Sequence, residues 1–344
     1  MKRKNLLSWA AAAALTATAG LAQAQDVEQR SLCVFDPVGA NGDMYQLMKD
    51  YALAGRELGV DFRMRPYTEE STARADFQAG KCDAVALTGI QNRNIVRFAG
   101  SLDMMAATPS YEAERTAIAA ISGPNAAELM QEGPYEVVGV IPLGMAYLFG
   151  RSRDNLDDWK KLAGQKVAVI SNDEQAVEMV QYAGGTVVAA TTSTFAGMFN
   201  NGSVDLAYAP AFAYEALEMY KGLGENGGIL RYNLGQLSGQ INIHRDRFPE
   251  GFGVKSREWV FNNMWDDAMR IIEQAEAAIP KEYWVDLDEE KAASYNEMFA
   301  EVRQSLFEKE VYHPRMQLML KKIRCREIPG NADCTQDTEG GPAL

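Results

Sequence analysis

Phe77-Gln-Ala-Gly80-Lys-Cys-Asp83-Ala-Val85 and Phe199-Asn-Asn-Gly202-Ser-Val-Asp205-Leu-Ala207 align without a gap. Each stretch closes a helix with a Phe, sets a Gly where a C-terminal cap calls for φ > 0, and puts an Asp ahead of an apolar strand. Helix-to-strand turn chemistry explains either copy alone, but not the setting that the two share. A hydroxyl-rich run precedes each helix, Thr68-Glu-Glu-Ser-Thr72 in one and Thr191-Thr-Ser-Thr194 in the other, and supplies N-terminal caps. Further out, residues 32–89 and 167–210 both read as strand–helix–strand–helix–strand. That alternation predicts parallel sheets with helices on both faces. The expected fold class is therefore α/β, with two lobes that are each a sheet flanked by helices. Ligands of such sheets sit beyond the carboxyl ends of the strands, which here would face each other across a cleft.

Outside the blocks the pattern carries the chain between lobes. After a first strand at 31–35 comes a turn-rich loop, Asp36-Pro-Val-Gly-Ala-Asn-Gly-Asp43, and then near-helical apolar spacing over 44–53. Two strand-like stretches, 135–142 and 145–150, lead out of the first lobe, and 240–244 leads back. Residues 155–162 read as a short helix entering the strand that opens the second block. Long amphipathic helices are expected over 258–278 and 289–307, bracing both lobes. The resulting division is 1–24 as a leader, 25–144 plus about 237–260 as the first lobe, and 145–236 as the second. Residues 261–334 form C-terminal helices and 335–344 a flexible tail.

Lys2, Arg3 and Lys4 precede an Ala-rich apolar stretch at 6–21 and a small-x-small site at Ala22-Gln-Ala24, the layout of a signal peptide cleaved near Ala24. Thr16, Thr18 and Gly20 interrupt the apolar stretch, which is short for a membrane span. No Cys stands at the cleavage site for lipid attachment. The expectation is an exported periplasmic protein with no direct membrane insertion after cleavage. The chain has 34 basic and 47 acidic residues, a net charge of −13. Without Lys2, Arg3 and Lys4 it has 31 against 47, or −16, which repels the phosphates of nucleic acid or anionic lipid. The four cysteines suit an oxidising compartment. Spacing suggests Cys325 with Cys334 as a short terminal staple. Cys33 and Cys82 lie on strands expected to be neighbours and form a second candidate pair, although sequence alone does not fix connectivity.

The run Asn155-Leu-Asp-Asp-Trp-Lys-Lys-Leu-Ala-Gly-Gln-Lys-Val-Ala-Val169, a helix, Gly184-Gly185, a hydroxyl run and the second Phe-x-x-Gly-x-x-Asp together resemble the middle of a periplasmic solute-binding protein. They are similar to those serving TRAP-type (tripartite, ATP-independent) transporters. The first Phe-x-x-Gly-x-x-Asp followed by Phe98-Ala-Gly-Ser-Leu-Asp103 is similar to that family's first-lobe pattern, and the resemblance spans about 31–310. It implies a receptor that closes on a small-molecule solute and delivers it to membrane transporter subunits. One departure matters. Many such proteins carry an Arg that clamps a substrate carboxylate bidentately, and matching Lys-x-Arg-Val to Lys166-Val-Ala-Val169 puts Ala168 at that position. An organic-acid ligand is therefore not carried over.

Loop ends in the first lobe offer Asp36, Asn41, Asp43, Glu69, Glu70, Thr88, Gln91 and Arg93. Those in the second offer Ser171, Asn172, Asp173, Gln175, Thr192, Ser193, Tyr208 and Phe212, with Phe195 as an apolar wall. The narrower candidate set leaves out Glu70, Gln91, Asp173 and Thr192. Arg93, the one basic candidate near a strand end, is expected to replace the missing clamp; the acidic loop residues favour a cationic or polyhydroxylated ligand instead. Asp43 and Asp173 also have a plainer role, favouring their helix N-termini through the dipole. Enzymatic readings find little support. His244 and His313 are far apart, no nucleophile elbow, phosphate loop or zinc motif occurs, and no cofactor or metal is expected. Two rivals remain: an ABC-type binding protein or sensor of the same fold, and a secreted enzyme using carboxylates across the cleft.

Overall fold

The computed structural model describes residues 27–330 and 332–342; the expected leader lies outside them. The first block folds as β1 (Glu28–Phe35), α1 (Asp43–Ala54), β2 (Val60–Tyr67), α2 (Glu70–Gln78) and β3 (Ala84–Thr88). All three strands are parallel, with β1 in the middle. Short helices α3 (Gly89–Asn92) and α4 (Arg97–Gly100), then α5 (Tyr111–Ser122), lead to a small strand β4 (Gln131–Glu132) and the long β5 (Tyr135–Gly150). The second block then repeats the first: β6 (Lys166–Ile170), α6 (Glu174–Tyr182), β7 (Thr186–Ala190), α7 (Phe195–Asn200) and β8 (Leu206–Pro210), with β6 in the middle. Helices α8 (Ala213–Ala216) and α9 (Tyr220–Leu223), strand β9 (Gly228–Leu230) and strand β10 (Gln236–His244) follow. The chain then runs through α10 (Phe252–Ala278), β11 (Trp284–Val285), α11 (Glu289–Glu308) and α12 (Pro314–Glu327).

The repeated motif has a physical basis in both copies. Gly80 and Gly202 sit at φ +75° and +79°, the left-handed region that favours glycine. The Asp carboxylates tie the third strand of each block to the first. Asp83 accepts from the Ser31 amide at 2.8 Å and the Ser31 hydroxyl at 2.7 Å, and Asp205 accepts from the Lys166 amide at 2.8 Å. Burial on both faces follows from alternation. Leu32, Val34, Ala84 and Ala86 pack with α1 and α10, whereas Cys33, Val85 and Leu87 face the opposite cluster around Phe77 and Ile118.

The strand order is β2-β1-β3-β10-β5-β8-β6-β7, so the two half-sheets meet through β5. Its first half pairs antiparallel with β10, and its second half with β8 and β9. The two strand-like stretches expected at 135–142 and 145–150 are thus one continuous strand. It bends where Ser238 pairs with Pro142 and Leu237 with Gly144, leaving Leu143 as a bulge. Strand β10 begins at Gln236, earlier than the expected 240, because it pairs across that bulge. The short helix expected at 155–162 is two 3-10 turns, Arg153–Asn155 and Trp159–Leu162.

The C-terminal helices span both lobes. Helix α11 meets the second, where Ser305 donates to Glu178 at 2.6 Å and Trp159 to Ser294 at 2.9 Å. Helix α12, which the sequence pattern did not single out, packs on α5 in the first. Its many basic residues dilute an apolar stripe of Met316 and Leu320, both fully buried. The tail expected to fray beyond Cys334 is instead held down at Glu339. Glu339 is buried and pairs with Arg303 at 2.6 Å and Arg324 at 2.8 Å. Burial alone would raise its carboxyl, but the two guanidiniums hold it at about 2.

Disulfides join Cys33 to Cys82 and Cys325 to Cys334. Loop entropy makes the first, with a separation of 49 residues, worth about 4 kcal/mol, and the second, with 9, about 3 kcal/mol. In urea unfolding, Cys33→Ala/Cys82→Ala is expected to lose more stability than Cys325→Ala/Cys334→Ala; the reverse order would contradict the closure argument.

Candidate ligand cleft

The carboxyl ends of β1 and β3 in one lobe and of β6 and β8 in the other face a common cleft of about 240 Å³. Its floor is the bulge of β5, with Pro142, Leu143 and Leu237 in the lining, and α10 closes one side through Ala268, Ile271 and Ile272. Aromatic walls come from Phe35, Phe195, Tyr208 and Phe212.

Of the expected site residues, Asp36, Asn41, Asp43, Thr88, Phe195, Tyr208 and Phe212 line this cleft. So do Glu70, Gln91 and Thr192, which the narrower set left out. The other six do not. Glu69 and Ser193 sit at the rim, hydrogen-bonded to each other at 2.7 Å. Ser171 donates to the Ala190 carbonyl at 3.1 Å, and Asn172 occupies an exposed turn at φ +67°. Arg93 lies behind the cleft. Its guanidinium is 5.0 Å from the Tyr312 ring centre and 3.4 Å from Gln175 Oε1, which also accepts from Tyr312 at 2.9 Å. The expectation that Arg93 replaces the missing clamp is therefore corrected: it braces α3 against the C-terminal helices. Ala168, at the clamp position, is buried among Phe195, Phe199 and Ala207. Ile170, on the same strand face, reaches the cleft.

Both blocks end their first strand by seating a carboxylate on the helix that follows. Asp36 accepts from the Val38 amide at 2.8 Å and the Tyr45 amide at 3.1 Å, at the N-terminus of α1. Gly42 is required there, because a Cβ would lie 1.9 Å from the Asp36 carboxylate. Asp173 accepts from the Ala176 amide at 3.2 Å, capping α6, and from the Tyr208 hydroxyl at 2.7 Å. Burial pushes both carboxyls up despite these donors. Glu70 is also buried and accepts from the Thr88 amide at 2.6 Å; its burial pushes it up to about 7.

The lobes touch across the cleft. The Glu70 amide donates to Thr192 Oγ1 at 3.2 Å, Thr192 Oγ1 donates to Glu69 at 3.3 Å, and Gln91 Nε2 donates to the Ser171 carbonyl at 2.9 Å. Below the hinge, Tyr111 and Tyr147 both donate to Glu276 of α10, at 2.6 and 2.8 Å. Polar groups at the rim thus join the two lobes. Neither histidine approaches the cleft: His244 Nε2 bonds the Phe77 carbonyl at 2.8 Å, and His313 Nδ1 accepts from the Arg315 amide at 3.2 Å.

Residues 52–339 match the family described as solute-binding protein AdeT 1/2, and the chain belongs to that family. It is 38% identical over 306 residues to the probable solute-binding protein AdeT1 of Acinetobacter baumannii, covering 89% of this chain and all of that protein. The probable solute-binding protein AdeT2 of the same organism is 25% identical over 235 residues, 68% of this chain and 98% of the relative. Among solved structures, the fold is similar to the periplasmic ectoine-binding protein of the TeaABC TRAP transporter of Halomonas elongata. That likeness has a TM-score of 0.70 at 13% identity and covers 87% of this chain and 98% of the other. A TRAP periplasmic solute binding protein from Desulfovibrio salexigens with bound orotic acid gives 0.66 at 13% identity, over 88% and 99%. The chain is a solute-binding protein by family and has the TRAP-receptor fold.

Glu70 predicts a pH signature. A carboxyl raised on folding contributes stability below its unfolded value near 4.5, and that contribution is lost as pH rises through about 7. Glu70→Gln keeps the acceptor for Thr88 and removes the charge. Its melting temperature is expected to match the wild type at pH 4.5 and to exceed it at pH 8, where the gap reaches roughly 2–3 kcal/mol. A gap independent of pH would contradict the buried placement.

Proposed function

We propose that this member of the AdeT 1/2 family is an exported receptor that closes on a small molecule between its lobes and delivers it to the membrane subunits of a TRAP-type transporter. One observation carries the reading: the two half-sheets share a bulged strand at Leu143, and polar contacts join their facing ends across a cleft. Such contacts are individually worth little, so a molecule filling the space between them tips the balance from open to closed. A receptor needs that reversibility in order to release its cargo.

Other features are consistent with this reading. Two disulfides suit the periplasm. Among the described residues, no helix is long and apolar enough to cross a membrane. The family and its curated relatives are described as solute-binding proteins, and we read the protein as a receptor rather than an enzyme. The delivery step rests on the fold shared with TRAP receptors.

The latch gives the test. Glu69→Ala removes the acceptor for Thr192 and Ser193 while Glu69 itself lies outside the lining, and so weakens the closed state by about 1 kcal/mol, or roughly fivefold in apparent affinity. Small-angle X-ray scattering of ligand-free protein should report a larger radius of gyration for the variant, with an unchanged circular dichroism spectrum. Identical scattering from wild type and variant, with and without solute, would contradict a hinged receptor.

A further inference from the structure

The polar groups of the cleft are strongly unbalanced. Among the described residues, Asp36, Asp43 and Glu70 line it, and no lysine, arginine or histidine does. The places where this fold could hold an anion are already filled by the chain itself. An open helix N-terminus attracts negative charge, but Asp36 occupies that of α1 and Asp173 that of α6. The hydroxyl donors are committed as well, Tyr208 to Asp173 and Thr192 to Glu69. Thr88 bonds Glu70 through its side chain, so that besides the amide of the exposed Asn41 what remains is an acceptor. Gln91 is 2% exposed, gives its amide N–H to Ser171, and leaves Oε1 buried without a partner. The rest of the lining is alkyl and aromatic, including Phe195, Phe212, Ile271 and Leu217.

We propose that the cleft takes a cation-headed amphiphile: an amine or quaternary ammonium group against Glu70, Asp36 and Gln91 Oε1, with an apolar body along Phe195, Phe212 and α10. This rests on the receptor reading above and narrows its ligand. The chemistry is complementary in each part. A cation beside Glu70 repays the cost of keeping that buried carboxylate ionised. Aromatic faces attract an ammonium through their quadrupoles, most strongly when water is excluded. A carboxylate ligand would meet three acidic side chains and no cation, with Ala168 and Ile170 offering alkyl groups where a guanidinium would be needed. A sugar would leave most of its hydroxyls facing alkyl walls.

Three probes of one chain length separate these cases: hexyltrimethylammonium, 1-hexanol and hexanoate, each titrated calorimetrically into the exported, disulfide-bonded protein. The ammonium is expected to bind at least tenfold tighter than hexanoate, with hexanol between them. Glu70→Gln should weaken the ammonium about tenfold and leave hexanol unchanged, without lowering the melting temperature. Gln91→Leu is the second variant and should weaken the ammonium two- to threefold. Hexanoate binding as tightly as the ammonium, an ammonium affinity indifferent to both variants, or no binding by any of the three would overturn the proposal. Native mass spectrometry of protein taken from its host distinguishes the two levels of failure. A co-purified small molecule at unit stoichiometry would keep the receptor and discard only its cationic ligand. An empty protein that none of the probes stabilises would discard both.

Discussion

Strand β5 belongs to two half-sheets at once, and the rest of the molecule is arranged around that fact. Its first half is held by β10 and its second by β8 and β9. The pairing with β10 slips at Val138 and at Leu143, and at Leu143, in the cleft lining, the chain can bend at little cost in backbone bonds. Tyr111, Tyr147 and Glu276 tie α5, β5 and α10 together beside that bend. Helices α11 and α12 cross from one lobe to the other on the outside.

Chemical character follows from what caps the strands and helices. In a two-block fold of this kind, the helix N-termini beyond the strand ends are natural anion sites. Here the protein's own carboxylates hold them, seated by Gly42 in one block and backed by Tyr208 in the other. The same two residues that stabilise the helices therefore reverse the electrostatic preference of the cleft. Alkyl side chains from α8 and α10 complete the change, since they meet the ligand space where polar groups would otherwise be. Stability and selectivity thus share one set of side chains.

The block architecture was legible because it depends on backbone chemistry that leaves a residue signature. Phe77 and Phe199, the positive-φ glycines, and Asp83 and Asp205 each do the same local job twice. Asp36, Thr88, Tyr208 and Phe212 were reachable by the rule that ligands sit at strand ends. That rule locates the backbone and not the direction of a side chain, which is why Arg93 misled: its loop is at the cleft, but the guanidinium turns back to Tyr312 and Gln175. Glu70 and its neighbour Glu69 illustrate the same limit, one facing in and the other at the rim. The apolar wall of α10 was invisible for a different reason. Ile271 and Ile272 belong to an ordinary amphipathic stripe, and nothing local says that part of the stripe faces an opening rather than a core. The tail was misjudged because Glu339 finds its partners, Arg303 and Arg324, through tertiary packing.

A crystal structure of the protein purified directly from its host's envelope tests the central claim most directly. A receptor of this kind should show density for one small molecule enclosed between Glu70 and Gln91 on one side and Phe195 and Phe212 on the other, with the Glu69–Ser193 contact formed. Lobes closed over a cleft with no molecule in it, or a molecule held elsewhere on the surface, would contradict it.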